Sequence, residues 1–264
     1  GDSCLVGQTI RKGEKMKKGI IIGLAMAITT TMALGLKIDS TGDGLWSNTG
    51  LVWAVTAPGT GDTARVNHNV VLDSDEGDIL GIVIGRGDPA SLTIQNGGSF
   101  TTTGSGVGVQ VATRNNSSLT LNGGQLTLAA GDLLVGNTNN DIDYQGTVNL
   151  LGGTLEIMNG GIVFNTATDI LGIENDAQLI LGGDQWTAID GFVAAGNIDW
   201  DNGTGIAGVG DKTWDNGSGS YLHTEFDGTD TTVWVNGTIP EPATLGLVMI
   251  TGAALLGIRR RFMF

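Results

Sequence analysis

The residues of this chain that could do chemistry are mostly oxygen donors. "DSDEGD", with Asp73, Asp75 and Asp78, and "NTNNDID", with Asp141 and Asp143, offer carboxylate and amide oxygens of the kind a hard cation such as calcium takes. Neither has the spacing of a helix-loop-helix calcium loop or of a glycine-aspartate repeat, so solvated loops are expected and weak calcium binding is the alternative. His68 in "ARVNHNVV" and His223 in "SYLHTEF" stand far apart, and no Ser/His/Asp order, metal-spaced histidine cluster or phosphate loop accompanies them. Acid and base work on a polysaccharide needs clustered carboxylates, usually with a basic residue to stabilise developing charge. Acids abound in this chain and bases are scarce, so no catalytic residue and no resident metal is expected.

Two pairs suit binding better. Arg86 and Arg114 each follow an apolar stretch, "ILGIVIG" and "VGVQVA". Stacked on adjacent coils, they would form a two-arginine ladder able to grip a carboxylate or sulfate of an acidic polysaccharide bidentately. Trp200 in "IDWDNG" and Trp214 in "KTWDNG" share Trp-Asp-Asn-Gly. An aromatic ring beside a polar turn can stack on a sugar face, or it can pin the turn to a core. These four residues are the polysaccharide-contact candidates. The tripeptide Arg86-Gly87-Asp88 is read as a chance match.

The elements that must carry these residues repeat. "SLTIQNGGSFTT", "SLTLNGGQLTL", "TVNLLGGTLEI" and "AQLILGGDQW" hold Gly-Gly pairs beginning at Gly97, Gly123, Gly152 and Gly182, at intervals of 26, 29 and 30 residues. A self-similar period of this size indicates stacked units. Leu119 and Leu121 alternate with Ser118 and Thr120, and Leu126 and Leu128 with Gln125 and Thr127, which is the strand period of two. The glycines supply positive φ at the corner between two short strands. A third strand lies upstream of each of the first three pairs, in "ILGIVIG", "VGVQVA" and "DLLVG". Three strands per turn describe an all-β fold, a single-stranded parallel β-helix or β-solenoid, whose coils hydrogen-bond to their neighbours and share one core.

The pattern is uneven at two places. The first unit needs a bulge, because its apolar residues sit one position further from Gly97. The fourth permits either Leu179 and Leu181 or Ile180 to face inward. Upstream, Trp46 and Trp53 are read as the aromatic part of an N-terminal cap with a first incomplete coil over 36–80, ahead of repeats over 81–187. A C-terminal β cap over 188–238 is expected to cover the other sheet end.

Charge and chain ends bear on location. From Leu36 to Ile239 there are 24 Asp and Glu against 5 Lys and Arg. Such a surface lacks the basic footprint that nucleic acid requires, so no nucleic-acid partner is expected. "MKKGIIIGLAMAITTTMALG" runs from basic through apolar to small residues, the order of a secretory signal peptide over 16–35. Residues 1–15, which hold the only cysteine, Cys4, are read as an upstream extension. Between Pro242 and Arg259 lie 16 largely apolar residues, long enough as a helix to span ~24 Å, just short of a bilayer core. Arg259, Arg260 and Arg261 would keep the extreme C-terminus cytoplasmic, with the acidic domain outside.

Pro240-Glu241-Pro242, the apolar helix and the arginine cluster together resemble a PEP-CTERM sorting signal over 239–264. The resemblance implies an exosortase-type processing enzyme as partner, transient inner-membrane anchoring, and delivery to the cell surface or exopolysaccharide matrix of a Gram-negative bacterium. The body is similar to autotransporter-type β-helix passengers through its "SLTLNGG" coils and its "W...W...P..GDTA" opening. The expectation is a noncatalytic structural or adhesive matrix protein that contacts exopolysaccharide. A β-helix polysaccharide lyase or hydrolase is one alternative, and a self-associating surface-layer or filament subunit is another.

Overall fold

The computed structural model describes residues 36–54, 56–139, 142–201 and 211–236. The expected signal peptide over 16–35 and sorting segment over 239–264 lie outside the described residues. Among the described residues no helix is long and apolar enough to cross a membrane.

The chain is mostly β and winds into a solenoid of about six turns. The first coil holds β1 (Lys37–Asp39) and β2 (Gly44–Leu45). The second holds β3 (Thr63–Val66), β4 (Asn69–Leu72) and β5 (Asp75–Ile79), and the third β6 (Gly81–Ile84), β7 (Ser91–Gln95) and β8 (Ser99–Thr102). The fourth holds β9 (Val107–Val111) and β10 (Ser117–Leu128). In the fifth, β11 (Asp132–Val135) leads through a hairpin of β12 (Asn137–Asn139) and β13 (Ile142–Tyr144) to β14 (Gly146–Ile157). The sixth holds β15 (Ile162–Phe164), β16 (Ile170–Glu174) and β17 (Gln178–Gly182).

Stacking these coils builds three parallel faces. The first is the six-stranded sheet β1-β3-β6-β9-β11-β15. The second runs from β2 through β4, β7 and the first halves of β10 and β14 to β16. The third runs from β5 through β8 and the second halves of β10 and β14 to β17. Alternation along every strand sends one set of side chains inward. Ile84, Ile94, Leu119, Leu121, Val148, Leu155 and Ile173 are all fully buried in one continuous core. Coil length, measured between the stacked partners Val70, Leu92, Leu119, Val148, Leu171 and Ile198, varies from 22 to 29 residues, because corner loops absorb insertions that the faces cannot.

The register places the expected irregularity. Leu121 stacks on Ile94 and Gln125 on Ser99, so residues 95–98 of the first unit lie beside the shorter stretch 122–124 of the second, and the extra residue is absorbed at that corner. Leu179 and Leu181 are the inward residues of β17, and Ile180 is half-buried on the other side. The fourth Gly-Gly pair corrects the repeat reading. Gln178 stacks on Thr154 and Leu179 on Leu155, so "AQLILGG" is a third-face strand, and Gly182 lies past the end of that face. The corner equivalent to Gly123 falls in coil six at Asn175, one of two non-glycine residues with positive φ among the described residues, at 53°. The 30-residue interval was therefore a coincidence of spacing. The acidic run Asp75–Ile79 is likewise a strand and not a loop, with Ser99 and Thr101 of β8 as its ladder partners and Ile79 buried.

Both ends are closed. At the N-terminal end, Trp46 and Trp53 meet edge to face with ring centroids 4.7 Å apart, and Trp46 meets Phe100 at 5.1 Å. Trp53 Nε1 donates to the Trp46 carbonyl at 2.9 Å, which ties the plug to its own backbone. The other end departs from the all-β expectation, because a helix, α1 (Trp186–Ala195), follows β17. Its Ile189 is buried, Phe192 and Val193 pack on the core, and Phe192 meets Phe164 of β15 at 5.0 Å. This i, i+3, i+4 stripe covers the open end of the first face. Gly196 ends the helix in the left-handed conformation. Then β18 (Ile198–Asp201) stacks on β16. Strands β19 (Lys212–Asp215), β20 (Tyr221–Phe226) and β21 (Asp230–Asn236) form an antiparallel sheet whose β21 pairs with β17.

Candidate functional site

At the corner between the first and second faces, asparagines clamp successive turns together. Gly87 N–H donates to Asn67 Oδ1 at 2.8 Å, and Asn115 Nδ2 donates to the Gly87 carbonyl at 3.1 Å. Asn137 Nδ2 reaches the Thr113 carbonyl, and Asn165 Nδ2 reaches that of Gly136 at 2.8 Å. A short amide side chain suits this position because it can satisfy an otherwise exposed carbonyl one coil below.

Arg86 and Arg114 sit on this clamped corner. The Arg114 N–H donates to the Gly85 carbonyl at 3.0 Å, which sets the two arginines one coil apart. Arg114 is exposed and Arg86 half-buried, and among the described residues neither side chain has an ion pair or hydrogen bond.

Beside these loops a groove of about 490 Å³ runs down the second face. Its floor is the column Asn69, Ser91, Ser118 and Thr147, one residue from each of four stacked coils. Pro89, Asn116 and Gln145 from the corner loops wall it. Ser91 Oγ donates to Asn69 Oδ1 at 2.8 Å, and the Gln145 N–H donates to Asn116 Oδ1 at 2.9 Å. No Asp or Glu lines it, although the chain is strongly acidic. Parallel stacking spaces the column at about 4.8 Å, so hydroxyls and amides recur at a fixed interval along the axis. Sequence reasoning missed this column. Its signal was present in the outward residue that precedes the first inward apolar residue in "SLT", "SLT" and "TVN".

The tryptophan pair separates. Trp200 is only 8% exposed, packs in the core, and donates Nε1 to the Ser220 carbonyl at 3.2 Å. Its ring is not displayed to a sugar, which corrects that assignment: the inward phase of β18 takes it into the interior. Trp214 is half-buried, donates Nε1 to Asp190 Oδ1 at 3.2 Å, and has Lys212 Nζ 5.0 Å from its ring centre.

The acidic candidates are engaged locally. Ser99 Oγ donates to Asp75 Oδ1 at 2.7 Å and the Gly77 N–H donates to the same oxygen at 3.1 Å, and these bonds hold the Asp75 carboxyl below its ordinary pKa. Asp73 and Asp78 are exposed, and Asp143 accepts from Thr138 Oγ1 at 2.8 Å. Asp141 lies outside the described residues. Among the described residues no three His, Cys, Asp or Glu gather as a metal-holding set.

The two histidines lie in different parts of the fold. His68 Nδ1 meets Ser40 Oγ at 3.1 Å near the N-terminal end. His223 is buried in the C-terminal sheet, with Nδ1 2.8 Å from Thr213 Oγ1 and its ring stacked on Trp234 at 5.5 Å. Burial pushes the His223 pKa down, and the Asn236 side chain opposes that shift in part. The unfolded chain therefore binds the proton first, and stability should fall as pH drops below about 6.5. Thermal midpoints measured from about pH 7.5 to about pH 5 should decline for the wild type and run flatter for His223→Gln; parallel curves would refute the assignment.

No family model, curated protein or solved structure matches the chain. The functional reading rests on this geometry and on the sequence.

Proposed function

We propose that this protein is an exported, noncatalytic β-solenoid of the cell surface or exopolysaccharide matrix, sorted there through its PEP-CTERM-like tail by an exosortase-type enzyme. The observation that carries the reading is the uncharged column Asn69, Ser91, Ser118 and Thr147, recurring coil by coil beside the exposed corner that bears Arg86 and Arg114. A linear polysaccharide laid along the axis would meet the same hydroxyl and amide donors at each coil. Its acidic groups, where present, would meet the arginines. Each contact is weak, and repetition on a rigid support makes their sum useful, since later contacts form at high effective concentration.

The test uses the native protein recovered separately from membrane and matrix fractions of the producing cells. Terminal mass spectrometry should show matrix material beginning near Leu36 and ending near Pro240. That material should co-sediment with the cells' own polysaccharide, and the double variant Arg86→Ala, Arg114→Ala should lower its affinity by about tenfold. Protein retained in the membrane with Arg259 to Phe264 attached, and without affinity for the polymer, would overturn the proposal. Release of oligosaccharides would assign a polysaccharide-degrading enzyme instead, and ordered polymers of the purified protein a filament subunit.

A further inference from the structure

At the C-terminal end, α1 and the antiparallel sheet enclose a hollow of about 430 Å³, lined by Asp184, Trp186, Asp211, Lys212, Thr224 and Phe226 among others. Trp186 is 45% exposed in the first turn of α1, unlike the buried Trp200. Lys212 Nζ lies 4.7 Å from the Trp186 ring centre and 2.6 Å from Asp190 Oδ1, so the ammonium is already neutralised while it steadies the indole. Asp184 Oδ1 accepts the Trp186 N–H at 3.4 Å, and Asp211 Oδ2 accepts the Phe226 N–H at 2.9 Å. In each carboxylate these bonds engage one oxygen, and among the described residues the other accepts no hydrogen bond.

Thr224 supplies a second, independent sign. It is 1% exposed and lines this hollow, yet its Oγ1 has no hydrogen-bond partner. A buried hydroxyl without a partner is unfavourable, and a ligand hydroxyl would satisfy it. The aromatic surface of Trp186 and Phe226 favours the C–H face of a ring, and the surrounding oxygens favour a ligand rich in hydroxyl donors. Two carboxylates against an ammonium already paired with Asp190 disfavour an anion.

We propose that this hollow is a subsite for a single uncharged sugar ring, stacked on Trp186 with its hydroxyls bonded to Thr224, Asp184 and Asp211. The inference deepens the matrix-binding reading and rests on it for the source of the sugar. It is separate in place and charge preference from the groove and the arginine pair.

The purified protein is titrated with glucose, galactose, mannose, N-acetylglucosamine and glucuronic acid while the Trp186 indole N–H resonance, assigned through Trp186→Phe, is followed by NMR. At least one uncharged sugar should shift it saturably, with glucuronic acid about tenfold weaker or worse. Thr224→Val should weaken that sugar by about tenfold while the thermal midpoint holds or rises, because the hydroxyl has no protein bond to lose. The proposal is overturned if no uncharged sugar moves the resonance, if Thr224→Val binds like the wild type, or if glucuronic acid binds best. Polymer co-sedimentation of the native protein is measured alongside. Its survival when the titration fails removes the subsite alone, and its loss when the titration succeeds removes the matrix reading alone.

Discussion

Replacing Gly136 with alanine should cost about 4 kcal/mol, a large share of the stability of a domain this size. Gly136 has φ 73°, where a β-carbon alone costs about 1–2 kcal/mol. An added methyl would also land on both carboxylate oxygens of Asp169. That carboxylate is completely buried, with Oδ1 accepting the Gly146 N–H at 2.9 Å and Oδ2 the Thr166 N–H at 2.6 Å. Moving it breaks hydrogen bonds to a charged group worth about 1.5–3 kcal/mol each and leaves the charge without replacement donors. Gly191→Ala is the contrasting control, because its position in α1 is open and alanine there should stabilise by about 0.5–1 kcal/mol. Denaturant unfolding of both variants checks the pair, and a loss under about 1 kcal/mol at Gly136 would refute the account.

Trp46→Ala should cost about 3–5 kcal/mol and should also make the protein associate. Trp46 is completely buried against Trp53 and Phe100, so truncation leaves a cavity at the mouth of the core. It also loosens the plug over the first coil, where unpaired sheet edges would then be free to find another chain. Trp46→Phe should do far less, since it keeps an aromatic ring and removes an indole Nε1 that has no hydrogen-bond partner. Denaturant midpoints and light scattering read both effects. A Trp46→Ala protein that scatters like the wild type would show that the tryptophans fill space without guarding an edge.

The faces of the solenoid were legible because alternation and burial coincide. "ILGIVIG", "VGVQVA" and "DLLVG" contain β6, β9 and β11, and Leu119, Leu121, Leu126 and Leu128 all point inward. The corners were less legible, because a glycine pair marks a turn without saying which turn. Gly182 was assigned to the corner that Asn175 actually occupies. Helix α1 escaped notice because Gln185 makes no side-chain capping bond and Gly191 interrupts its interior. The strand β5 was hidden by its acids, since Ile79 is its only buried residue and its place depends on ladder bonds to β8. Among candidate binders, residue type alone could not tell Trp200 from Trp186. Strand phase buries one, and the start of a helix leaves the other displayed.

The reversal of strand direction at the C-terminal end has a mechanical meaning. β21 is the last described strand, and it is bonded on both sides, to β17 over five residue pairs and to β20 over six. A pull applied beyond Asn236 along the strand cannot peel it away one bond at a time. It must slide against two ladders at once, which loads their hydrogen bonds in parallel. Tension entering from that side would therefore be shared between β20 and β17, the last strand of the sixth coil, so this end of the solenoid should yield only when both ladders break together.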